Sequence, residues 1–185
     1  MSQIIKELPI SCADTGFLKV STSPLDYPEL SKLSNESFDL SFDQGFILHS
    51  NYVAFVVPNN SDCYVRIVLS EAINVELTST IAIVVPYYVP DKIGLYVSSD
   101  EPGERFEITG GDYQLLYQLR PLKDEEVASL MGYTKEHFDP DVDGDDYRPS
   151  LCTLTFISSD TEKKPSILKQ DSLMNPPSEL VLTDD

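Results

Sequence analysis

The stretch from Val75 to Leu119 constrains the fold most, because apolar and polar residues alternate along several short runs within it. In Val75, Leu77, Ile81, Ile83 and Val85 the odd positions are apolar, with Ser79 the one gap, while Glu76, Thr78 and Thr80 take even ones. A period of two is the pattern of a strand with one face buried. Pro86 is expected to end this strand and Asp91-Lys92 to turn the chain. Gly94-Leu95-Tyr96-Val97-Ser98 then starts a second run of β-formers, and Phe106-Glu107-Ile108 a third. Gly110-Gly111 supplies positive φ without a Cβ penalty, and Asp112 to Leu119 sets Tyr113, Leu115, Tyr117 and Leu119 on one face. Runs of this length joined by tight turns predict antiparallel pairing.

The order Val84-Val85-Pro86-Tyr87-Tyr88-Val89, Gly94-Leu95-Tyr96-Val97-Ser98, Phe106-Glu107-Ile108, Gly111-Asp112-Tyr113-Gln114-Leu115 resembles the competence protein ComJ family. The resemblance is carried by residues 80 to 119 and more loosely by 45 to 79, so everything after about Pro121 lies beyond it. It implies a β-rich fold and a role as an inhibitor of the DNA-entry nuclease of competent bacilli. It transfers no interface residues.

The remainder of the chain extends the β reading. Ile4 to Ile10 and Gly16 to Val20 are each expected as strands, and the prolines of Ser23-Pro24-Leu25-Asp26-Tyr27-Pro28 make a loop. In Phe38-Asp39-Leu40-Ser41-Phe42 the apolar residues alternate, which predicts a strand, with Asp43-Gln44-Gly45 as a hairpin turn into Phe46 to His49. Tyr52 to Val57 is apolar on both faces, as a covered central strand is. Pro58-Asn59-Asn60-Ser61 should close a second hairpin, whose partner strand carries Cys63, Val65, Ile67 and Leu69 on one face. After Pro121 the period changes: Val127, Leu130, Met131, Thr134 and Phe138 follow helical spacing, with Asp124, Glu125 and Glu126 in the first turn and Gly132 as a break. From Ser150 the alternation returns in Cys152, Leu154 and Phe156 as a final strand. Lys163-Lys164-Pro165 and Asn175-Pro176-Pro177 cut the rest into short pieces. The expected architecture is mainly β. It is a single antiparallel β-sandwich over residues 1–159, with one short helix and an acidic loop (124–148) inserted before the last strand, and a flexible tail over 160–185.

Charge decides which partners to consider. With 31 acidic against 13 basic residues the chain carries a net charge of -18, which disfavours nucleic acid and anionic lipid and favours a basic protein partner. Acidity of this kind also serves solubility alone. Cys12, Cys63 and Cys152 have no metal-binding spacing and fit a reduced compartment, and Cys63 and Cys152, on apolar-facing positions of strand patterns, read as small buried hydrophobes. No apolar run resembles a signal peptide or a membrane span, so a cytoplasmic protein is expected.

Only His49 and His137 are available for catalysis, and no nucleophile elbow, phosphate loop or paired Cys/His signature accompanies them, so no catalytic residue is assigned. Asp139-Pro140-Asp141-Val142-Asp143-Gly144-Asp145-Asp146 opens like a calcium loop, with Asp at positions one, three and five and Gly at six. Ser150 stands where position twelve needs a bidentate Glu, so Asp139, Asp141, Asp143 and Asp145 are candidate ligands of a partial site only. Between Asp124 and Asp146 nine acids face one base, Lys135. The reading is a non-catalytic inhibitor that uses Glu125, Glu126, Asp139, Asp141, Asp143, Asp145 and Asp146 to occupy the basic DNA-binding cleft of a nuclease. Its alternatives are a calcium-binding interaction module and a scaffold whose acidity has no target.

Overall fold

Tyr113, Leu115, Tyr117 and Leu119 do share a buried face, and the strand that carries them organises one of two stacked sheets. The computed structural model describes residues 2–12, 16–22, 35–49, 52–58, 61–99, 103–134, 148–161 and 163–180. Its strands are β1 (Gln3–Ile10), β2 (Phe17–Ser21), β3 (Phe46–Leu48), β4 (Tyr52–Val56), β5 (Cys63–Ser70), β6 (Ile81–Val89), β7 (Leu95–Ser98), β8 (Glu104–Phe106), β9 (Gly111–Pro121), β10 (Ser150–Ser158) and β11 (Ser166–Lys169). The first sheet has the order β1-β5-β10-β9-β6-β11 and the second β3-β4-β2-β7-β8. All pairings are antiparallel except that of β10 with β5, which is parallel.

One apolar core lies between the sheets. Val65, Ile67, Ile83, Leu115, Leu154 and Phe156 of the first sheet meet Leu18, Val20, Val53, Phe55, Leu95 and Val97 of the second. Tyr117 ties the layers together: its ring stacks on Phe55 at 4.4 Å between centroids, and its hydroxyl donates to the Val56 carbonyl at 2.8 Å. That single bond satisfies a polar atom which would otherwise cost about 1–3 kcal/mol to bury. Cys12, Cys63 and Cys152 are buried in the same core.

Several local expectations change. Phe38 to Phe42 is no strand but part of helix α1 (Asn35–Gln44), since residues four apart also share a helix face and short apolar runs fit both periods. Phe42 meets Phe17 on the outer face of the second sheet at 5.4 Å. Gly45, at φ +82°, closes the helix; a Cβ there would stand 2.7 Å from Met174 Cε. No hairpin joins β4 to β5, because β4 pairs with β2 and β3 while β5 pairs with β1 and β10. The chain crosses between sheets there. Pro86 does not end β6, which continues to Val89. Beyond Val84 the β11 pairing has stopped, and an uncovered edge tolerates a residue without an N–H.

The C-terminal region also carries structure. β10 is not appended but sits between β5 and β9. Where a tail was expected, Ser166 and Ile167 pair with Val84 and Ile83, and Met174 is buried against the core. The helical stretch is shorter than its spacing suggests: α2 (Asp124–Glu126) runs into one π-helical turn over Val127–Met131 and stops at Gly132, φ 68°.

Candidate partner-binding surface

Alternation along β9 gives it a second face, on which Gln114, Leu116, Gln118 and Arg120 point away from the core. Two of these side chains hold polypeptide onto the outside of the sheet. Gln118, 4% exposed, accepts hydrogen bonds at Oε1 from the Glu76 amide at 2.7 Å and the Ser79 hydroxyl at 3.3 Å, and its Nε2 donates to the Asn74 carbonyl at 3.2 Å. From the opposite side Lys169 Nζ donates to the carbonyls of Glu76, Leu77 and Ser79 at 2.8, 3.0 and 3.2 Å. Loop 71–80 is therefore fixed by side chains far away in sequence. Val75 turns in against Ala82, Val84, Leu116 and Ile157. Leu77, expected on the buried face of a strand, is 96% exposed at the tip of a turn.

Two residues further along the same face, Arg120 forms a bidentate pair with Glu126, both contacts at 2.7 Å. Glu126 also accepts the Lys123 amide at 2.9 Å, so one carboxylate closes the start of α2. The Arg120 hydrogen bonds hold the Glu126 carboxyl down at about 2 against the opposing effect of burial. Arg120 itself is pushed further toward its charged form, chiefly by Glu126, with the Glu76 carboxylate adding to it. Arg148 binds Asp124 at 2.6 Å and the Leu122 carbonyl at 3.1 Å. Beneath these pairs Leu122, Val127 and Leu151 pack with Tyr64, Leu130, Met131 and Tyr133. The Tyr133 hydroxyl donates to Asp62 Oδ2, and burial together with that carboxylate raises the phenol above its usual range.

This geometry sorts the acids named from sequence. Glu125 is exposed at the start of α2, whereas Glu126 is bound to Arg120 within the chain. Asp139, Asp141, Asp143, Asp145 and Asp146 lie outside the described residues, as does His137. Among the described residues no cluster of His, Cys, Asp and Glu could hold a metal, and no helix is long and apolar enough to cross a membrane. His49 stacks on Tyr52 at 4.9 Å. Sequence reasoning missed Arg120 and Arg148, because nothing local reveals that a base six or 24 residues away will be used internally. It also missed the pinned loop, whose holders Gln118 and Lys169 belong to β9 and β11.

A search of curated proteins returns no match. Among solved structures the chain is similar to the crystal structure of ComJ, inhibitor of the DNA-degrading activity of NucA, from Bacillus subtilis. The TM-score is 0.52 at 16% identity, over 85% of this chain and 99% of that one, a likeness of fold. The product of a crocagin biosynthetic gene J aligns with TM-score 0.44 at 13% identity, over 84% of this chain and 97% of that one. The family model for competence protein J (ComJ) matches residues 24–157. The match corrects the expectation that everything after Pro121 lies outside the resemblance, as a sheet with β10 at its centre requires. Since that span is well over half of the 185 residues, the chain belongs to the ComJ family.

Proposed function

We propose that this protein is a non-catalytic inhibitor of a DNA-degrading nuclease, docking its acidic segment into the basic cleft that otherwise takes DNA. The observation that carries the reading is that the family match, residues 24–157, contains the whole run from Asp124 to Asp146 with its nine acids and one base. Support comes from the Bacillus subtilis relative, an inhibitor of NucA. Duplex DNA presents about one negative charge per 1.7 Å of axis, and a dense carboxylate array offers a DNA-binding cleft a comparable potential. Glu125, Asp139, Asp141, Asp143, Asp145 and Asp146 are the residues assigned to the contact, while Glu126 shapes the turn that presents Glu125. A cytoplasmic protein meeting a basic protein rather than nucleic acid completes the reading.

The test is a DNA-degradation assay with the purified chain and a NucA-like nuclease from the same source. Stoichiometric inhibition that weakens steeply with salt is expected. Full nuclease activity at a saturating excess of the chain would overturn the proposal. The Asp139, Asp141, Asp143 and Asp145 spacing keeps a calcium loop as a second reading, under which millimolar calcium raises the melting temperature by mass action. No shift at saturating calcium removes it.

A further inference from the structure

Loop 71–80 breaks the alternation that the rest of its stretch obeys, and it breaks it at a leucine. Departures from local sequence rules concentrate where function or strain overrides them. The loop has a structural role of its own. Val75 caps the apolar cluster of Ala82, Val84, Leu116 and Ile157, and the backbone at Asn74 and Glu76 with the Ser79 hydroxyl satisfies the buried amide of Gln118. Leu77 contributes nothing to that role, since its side chain is 96% exposed. A polar residue would serve such a turn better.

A single exposed apolar side chain is ordinary on a protein surface. Leu77 differs in how it is held and where. Its own carbonyl and those of its neighbours are fixed by Lys169 from one side, and Gln118 fixes the flanking backbone from the other. A side chain on an ordered backbone loses little further freedom on binding, so more of its contact energy appears as affinity. Ile73, 40% exposed, lies on the same loop. Gln118, which holds the loop, and Arg120, which holds the turn that carries Asp124 and Glu125, are two positions apart on one face of β9, about 7 Å along the strand, and the Glu76 carboxylate of the loop reinforces the charge on Arg120. An apolar anchor beside a charged rim is the anatomy of an interface hot spot.

We propose that Leu77, presented by the pinned loop 71–80, is an apolar anchor that enters an apolar depression on the partner nuclease beside the basic surface met by Asp124 and Glu125. This rests on the nuclease-inhibitor reading and adds to it a contact that charge mimicry alone does not require. The charges set the approach, and Leu77 sets how long the complex lasts.

The experiment measures association and dissociation of the full chain with the NucA-like nuclease for wild type, Leu77→Ala, Leu77→Asp and a control, Leu173→Asp, whose side chain is 69% exposed on the C-terminal segment. Leu77→Ala is expected to weaken binding roughly tenfold and Leu77→Asp more, mainly through faster dissociation, with the salt dependence and melting temperature unchanged. Leu173→Asp should bind as wild type. Lys169→Met, which frees the loop backbone without altering the Leu77 side chain, should also weaken binding. If wild type binds and Leu77→Asp binds equally well, the anchor is overturned while the inhibitor reading stands. An equal loss in Leu173→Asp overturns it too, and absence of wild-type binding overturns both.

Discussion

Loop 71–80 and the turn over residues 122–134 are both fastened to the outside of the same sheet by side chains of β9, yet they are fastened by different chemistry and present different surfaces. The loop hangs on a neutral amide and a lysine that both bind backbone, which leaves side chains such as Leu77 free to face solvent. The turn hangs on two arginines that bind its carboxylates, so Glu126 is drawn into the molecule, while Asp124, though paired with Arg148, stays exposed beside Glu125. The holder decides what is shown. A count of acids along the sequence therefore overstates the charge available to a partner, whereas a count of apolar residues expected inside understates the apolar surface available to it.

The largest effect should come from removing the neutral holder. Gln118→Leu keeps the volume but leaves the Glu76 amide and the Asn74 carbonyl without their partner, which should cost about 2–3 kcal/mol in urea unfolding. Arg120→Met should cost less, about 1–2 kcal/mol, because the abandoned Glu126 reaches water more easily than a buried amide does.

Acid separates the two fastenings further. Glu126 titrates at about 2 in the fold against an ordinary 4.5, a depressed value, so its contribution is complete above about pH 4.5 and is lost as pH falls toward 2. The stability difference between wild type and Arg120→Met should shrink over that window, while that between wild type and Gln118→Leu should stay level. A constant Arg120→Met difference down to pH 2 would show that the ion pair is not what holds the turn.

Much of the sandwich is legible in the sequence because burial on one face writes itself as period two: Cys63 to Leu69, Ile81 to Val85, Tyr113 to Leu119 and Cys152 to Phe156 all read correctly. Pairing is less legible. Short turns suggest hairpins, but between β4 and β5 and between β6 and β7 the chain changes sheet, and no residue in those links records it. Phe38 to Phe42 fits either period and became helix. β11 is four residues long and gains its place from an edge of β6, which only the assembled sheet provides. At the site, the acids were legible as charge, but their internal partners come from distant strands.

A smaller effect on stability is expected from the acidic loop. Changing Asp139, Asp141, Asp143 and Asp145 together to Asn should leave the unfolding free energy within about 0.5 kcal/mol, as surface changes usually do. Its association with the nuclease should slow about tenfold or more at low salt, with dissociation little altered. An unchanged association rate would move the charged contact elsewhere, with Glu125 as the next residue to change.

The smallest effect belongs to the tip of the loop, and it is best measured against a neighbour two positions away. Val75 packs on Ala82, Val84, Leu116 and Ile157, so Val75→Ala removes buried methyl groups and should cost about 1 kcal/mol at its partial burial. Leu77→Ser removes more carbon, yet at 96% exposure that carbon is as wet in the folded chain as in the unfolded one. No transfer energy is lost, and serine suits a turn, so the unfolding free energy should not fall. If Leu77→Ser instead destabilises as much as Val75→Ala, Leu77 is packed against something in solution, and the loop is a lid on the sheet rather than a surface turned toward a partner.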